Sequence, residues 1–178
     1  MSIRSQSAIR YFLGLLLVGL LTACGSGGST DGSDGDSLDA FATEMLAAVN
    51  QERAAEGLAA LSWDDRLAQA AADHAQDMID NDFFSHTGSD GSDVGQRVTR
   101  VGYQWSWVGE NIARGQTSIN QVMTDWMNSP GHRANILHES FTQIGAVRVG
   151  NHWVQVFARP SSSTKPAVDV EEVPEADG

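Results

Sequence analysis

A single cysteine, Cys24, stands in the 178 residues, so no disulfide can form within the chain and the fold must be held by an apolar core. Basic residues are scarce as well. Eleven Lys and Arg face 23 Asp and Glu, a formal charge of −12, which removes nucleic acid from the expected partners. The acids are spread along the chain, so a solvated anionic surface accounts for them. Long hydrophobic runs are also missing. The longest, YFLGLLLVGLL from Tyr11 to Leu21, falls short of the roughly 20 residues that cross a bilayer. No internal repeat is present, and the length suits one domain with a core of ordinary size.

With Arg4 and Arg10 ahead of it, the apolar run fits the core of a secretory signal. It ends in LTAC, Leu21–Cys24, and small residues before a cysteine at that point resemble the lipobox of bacterial lipoproteins, whose cysteine is lipidated. The expected organisation is a signal peptide over 1–23, lipidated Cys24 and a Gly/Ser/Asp tether over 24–36, a folded domain over 37–160, and an acidic disordered tail over 161–178. An exported protein attached to the membrane through the lipid on Cys24, at the periplasmic or extracellular face of the envelope, follows from this reading.

Within the domain, Phe41, Met45, Leu46 and Val49 mark one face of a helix from about Leu38 to Glu56, stopped by Gly57. A second helix opens at SWDD with Ser62 as cap and Asp65 three residues on, and carries Leu67, Ala71, His74 and Met78 on its stripe. His74 is a ligand candidate by residue type, but on so regular a stripe it reads as a hydrogen-bonded core histidine. After a Gly/Ser/Asp loop over 81–93 come a short helix through Val94, Arg97, Val98 and Val101, and a strand near Trp107 to Ala113. Ile119, Val122, Met123 and Trp126 stripe a further helix, which Pro130 ends. TQIGAVRV and HWVQVFA, separated by Gly150 and Asn151, form a hairpin. Helices and antiparallel strands outside any βαβ order predict an α+β domain with helices covering a small sheet.

Three stretches off these stripes hold groups able to do chemistry: FSHTG with His86, VGENIA with Glu110, and SPGHRANIL with His132. Their spacing alone defines no site. In NQER, LSWDDRLAQAAADHAQDM, FFSHTG, GENIARG, WMNSPGHRANIL, FTQIGAV and WVQVF, in that order, the chain resembles the CAP superfamily in its bacterial form, over nearly all of Leu38 to Pro160. The resemblance implies an α-β-α sandwich around a three-stranded antiparallel sheet. It further implies a cleft of two histidines and two acids, thought in several members to take a divalent metal such as zinc. His86, Glu110 and His132 match three of these, and Ser129 stands where the second acid is expected. Two histidines and a carboxylate with an open position suit Zn2+ chemically. The alternative is a His86–Glu110 hydrogen bond that ties the long loop to the sheet. Asn111, Arg133 and Asn135 read as structural.

Three functions are compatible with this pattern. A non-catalytic binding module for a metal, small ligand or lipid fits the family, where sterol and lipid binding have been reported and agreed catalysis is rare. A hydrolase acting on envelope peptides or glycans would use Glu110 and a histidine to activate water, yet no nucleophile elbow surrounds Ser85 or Ser129. An envelope interaction protein would use the Trp105 and Trp107 region and leave the cleft vestigial.

Overall fold

The computed structural model describes residues 33–162, with side chains from residue 40; the signal segment, Cys24 and the tail from residue 163 lie outside the described residues. The chain forms α1 Ser33–Ala55, β1 Ser62–Trp63, α2 Asp65–Asp80, α3 Val94–Arg100, β2 Trp105–Arg114, α4 Ile119–Met127, α5 Pro130–Ile136, β3 Gln143–Val149 and β4 His152–Pro160. The strands make one sheet in the order β1-β3-β4-β2. β2, β4 and β3 are antiparallel neighbours, as expected, and a fourth strand of two residues, β1, pairs with β3 in parallel.

Alternation along β4 explains the sandwich. Trp153 and Phe157 pack with α1, α4 and α5 on one side, while Val154, Val156 and Ala158 pack with α2 and α3 on the other. A central strand covered on both faces reads as a nearly continuous apolar run, which HWVQVFA is. The hairpin turns on Gly150 at φ +57, the positive value that a two-residue loop requires at its first position. Gly145 on β3 lets α2 lie directly on the sheet: a Cβ there would stand 2.0 Å from the Ala68 amide nitrogen.

Several boundaries differ from expectation. α1 begins at Ser33, inside the stretch read as tether. Ser62 caps nothing, because it and Trp63 are drawn into β1; Asp64 is the cap of α2, accepting from the Arg66 amide. Pro130 does more than end α4. Its fixed φ and missing N–H suit the first position of a helix, and it opens α5, so His132, expected just past a helix end, lies on a further helix. The NQER motif is structural: Asn50 exchanges two hydrogen bonds with the Leu61 backbone, and buried Arg53 donates to the carbonyls of Ala59, Ile136 and His138.

Candidate functional site

β2 is one of the two outer strands of the sheet, and its Glu110 faces α2 and α3. The side chain is 2 % exposed and both oxygens are engaged: Oε1 accepts from Nδ1 of His86 at 2.8 Å, and Oε2 from a guanidinium nitrogen of Arg97 at 2.8 Å. Arg97 comes from α3, is itself buried, and also donates to the carbonyls of Ser92 and His86. The 81–93 loop is therefore fastened to the sheet through one carboxylate. His74 completes the cluster from α2. It is fully buried, its Nε2 donates to the Ser85 carbonyl at 2.9 Å and stands 3.8 Å from Glu110, and burial pushes its pKa down. It is the packed, hydrogen-bonded histidine that its place on the stripe predicted.

His132 and Ser129 lie apart from this cluster. They line a cleft of about 390 Å3 with Phe84, Ile112, Arg114, Gln116, Asp125 and Trp126. Among the described residues, neither the His132 ring nor the Ser129 hydroxyl makes a side-chain hydrogen bond. Burial, and secondarily the neighbouring His86, lower the pKa of His132 from its usual value. The wall of the cleft is the outer edge of β2. Its carbonyls at Glu110 and Ile112 are capped by the Asn135 amide and the Trp126 indole N–H, at 3.0 and 3.4 Å. Asn111 donates to the His132 carbonyl, as its structural reading required, and Arg133 reaches Glu56, just past the end of α1.

This arrangement brings His86 and Glu110 together and leaves His132 outside their hydrogen bonds. It does not fit the zinc centre that the resemblance implied. Glu110 has both oxygens committed, and the Arg97 guanidinium beside it repels a cation. Among the described residues no group of three His, Cys, Asp or Glu side chains is disposed to hold a metal ion. The loop-tying hydrogen bond, the alternative reading of His86 and Glu110, is what the geometry contains.

Four contributors went unread in the sequence as site residues. Arg97 left a signal, a charged residue on the apolar stripe of a short helix. Arg114, Phe84 and Gln116 left none, because an arginine at a strand end, an aromatic in a loop and a turn glutamine are ordinary until the fold brings them to one cleft.

The profile of the cysteine-rich secretory protein family, CAP, matches residues 46–157. An uncharacterised Bacillus subtilis protein, YkwD, is 36% identical over 131 residues, which cover 72% of this chain and 51% of that protein. The B. subtilis membrane protein YlbC, also uncharacterised, is 30% identical over 116 residues, 65% of this chain and 34% of the relative. The chain thus spans about half the length, or less, of these curated relatives. Among solved structures, an extracellular Bacillus anthracis protein containing an SCP domain superposes with a TM-score of 0.67 at 31% identity, over 75% of this chain and 45% of that one. An outer surface protein of Borrelia burgdorferi shares the fold, with a TM-score of 0.63 at 23% identity over 67% and 92% of the two chains.

Proposed function

The chain belongs to the CAP family of cysteine-rich secretory proteins, and from that premise we propose that it acts outside the cytoplasm as a lipid-anchored, non-catalytic binding module for a small polar ligand. Export is supported by the signal-like run ending at Cys24 and by the extracellular B. anthracis relative. Among the described residues no helix is long and apolar enough to cross a membrane, and in this reading the lipid on Cys24 supplies the attachment. Cys24→Ser should move the protein from the membrane to the soluble fraction or block its maturation. Unchanged membrane partitioning in that variant would overturn the anchor.

One observation carries the binding role over the hydrolytic one. His132 and Ser129, whose side chains make no hydrogen bond among the described residues, line the cleft with Arg114, which has no ion pair among them, whereas Glu110, the base a hydrolase would need, is held by His86 and Arg97 and does not line it. Arg114 and Asp125 in the lining favour a polar ligand over a lipid-like one. Thermal melting of the full-length protein with the small-molecule fraction of an envelope extract tests this. A rise in midpoint is expected for the wild type and not for Ser129→Trp, which fills the cleft. Product release from that fraction, lost in Glu110→Gln, would return the hydrolase.

A further inference from the structure

The other outer edge of the sheet is only half covered. β1 pairs with β3 at Gln143 and Ile144, and from Asp65 the chain is already in α2. The Ile144 carbonyl faces this edge, where it accepts from the Asp64 amide. Backbone direction alternates along a strand, so the N–H and C=O groups of Ala146 and Arg148 face the same way. Among the described residues none of these four groups has a hydrogen-bond partner, and Arg148 bonds only through its side chain, to the carbonyls of Gly150 and Thr117. Beside them lies a hollow of about 500 Å3, lined by Phe41 of α1, Trp63 of β1, Ala68 and Ala72 of α2, and Ala146 and Val147. Apart from Ala146 these residues are half-buried, and Arg148 is exposed. Ala146 packs on the α1 side of the sheet and Val147 on the α2 side. A hollow lined by both residues, and by both helices, lies over the edge of β3 and not over either face.

We propose that this slot is a peptide-binding site, in which one extended segment of a partner protein continues the ladder that β1 begins and pairs with Ala146 and Arg148. It is separate from the cleft beside β2, which lies at the opposite edge of the sheet. The open edge itself selects the ligand class. An extended backbone presents N–H and C=O groups together at every second residue, ~6–7 Å apart, which is the spacing from Ala146 to Arg148. An acyl chain would fill the hollow and leave all four backbone groups without partners. The sheet of a second folded copy would be kept away by α1 and α2, which flank the slot, whereas a lone segment fits between them. The two helices also set the side chains of that segment. Residues turned towards α1 meet Phe41 and Trp63 and should be apolar; those turned towards α2 meet Ala68, Ala72 and the exposed Gln69, and should be small and polar. The charged side chains beside the slot, Asp65 and Arg148, are of opposite sign, so the segment that complements them carries no net charge.

Hydrogen exchange of the full-length protein, followed by NMR at single amides, tests the proposal. In the free protein the amides of Ala146 and Arg148 should exchange about tenfold or more faster than those of Gly145 and Val147, which face β4. Equal protection would mean that the edge is not open, and overturns the proposal. Acetylated, amidated hexapeptides that alternate valine with serine, threonine, lysine or glutamate are then added in turn, with decanoate as a separate titration. The serine or the threonine peptide should bind saturably and slow exchange at Ala146 and Arg148 by about tenfold or more. Methylating all the backbone nitrogens of that peptide should weaken binding by about tenfold or more. So should Ala72→Trp, which fills the slot, with folding verified by its melting curve. Trp107→Ala, at the start of β2, should bind as the wild type does. Binding of decanoate alone, of a charged peptide alone or of no peptide overturns the proposal, as does a methylated peptide that binds equally well, since side chains alone would then hold it. Protection of these amides that grows with protein concentration before peptide is added would also overturn it, by giving the slot to a second copy. Binding that survives Ala72→Trp and fails in Trp107→Ala would do the same, by moving the peptide to another surface.

Discussion

Arg97→Met removes the guanidinium from Glu110 while keeping much of the side-chain bulk between α3 and β2. The ion pair lies at 2.8 Å with side chains 7 % and 2 % exposed, so water can replace neither partner without opening the domain. Breaking such a pair from one side costs about 3–5 kcal/mol, because the remaining charge stays buried. The carbonyls of Ser92 and His86 lose their donor as well, each worth about 1 kcal/mol. A total near 5–7 kcal/mol would consume a large part of the ~5–15 kcal/mol that stabilises a domain. Replacing both residues, Arg97→Met with Glu110→Met, should cost far less than the sum of the single changes, since no charge is then stranded. Urea denaturation followed by tryptophan fluorescence measures all four corners of the cycle. The reasoning fails if Arg97→Met costs under about 1.5 kcal/mol, or if the two changes add within ~0.5 kcal/mol as independent sites do.

Gly145→Ala would push a methyl group into the backbone of Leu67 and Ala68, which cannot rotate away; a loss beyond the usual ~1–3 kcal/mol of overpacking and a melting point lower by roughly 10 °C are expected, and a midpoint within ~2 °C of wild type would count against the close approach. Folding depresses the pKa of His74, His132 and His152 below 6.5, so below that pH the unfolded chain binds more protons; stability should be full above pH 6.5 and fall as the pH drops towards the folded values, a slope that His74→Gln should reduce and that a flat urea midpoint from neutral to acid pH would disprove. Zinc should leave the melting point at neutral pH unchanged. Saturating metal at about 100 times its dissociation constant would add ~2.7 kcal/mol, an effect large enough to see, and a rise that disappears in His86→Ala would restore the metal centre.

Periodicity made the helix stripes legible, and with them the packed role of His74, because a buried face repeats over several turns and leaves a regular trace. The β3–β4 hairpin was equally legible from two extended runs around Gly150 and Asn151. Local competition obscured other features. Ser62-Trp63-Asp64-Asp65 supports a cap at either Ser62 or Asp64, and the choice falls to Asp64 because pairing with β3 claims the two residues before it. Pro130 is compatible with a helix end and a helix start; here α4 closes on Asn128, and Pro130 opens α5 behind Ser129. The pairing of His86 with Glu110 was available as an alternative, but its third member, Arg97, decides the chemistry of the carboxylate. Orphaned atoms such as Gln116 Oε1 and the His152 nitrogens have no sequence trace, since being unpartnered is a property of the whole packed neighbourhood.

The capped carbonyls of β2 bear on how these domains behave when crowded. An outer strand with free backbone groups is a template on which a neighbour's strand can grow, and proteins held close together on one surface meet often enough to exploit it. Here the Asn135 amide and the Trp126 indole already occupy the Glu110 and Ile112 carbonyls, and Trp126 is locked in the core. A neighbour's strand would have to displace both before the first rung of a shared ladder could form. These two side chains therefore also work against polymerisation along this edge, so that crowded copies can stand side by side as separate units.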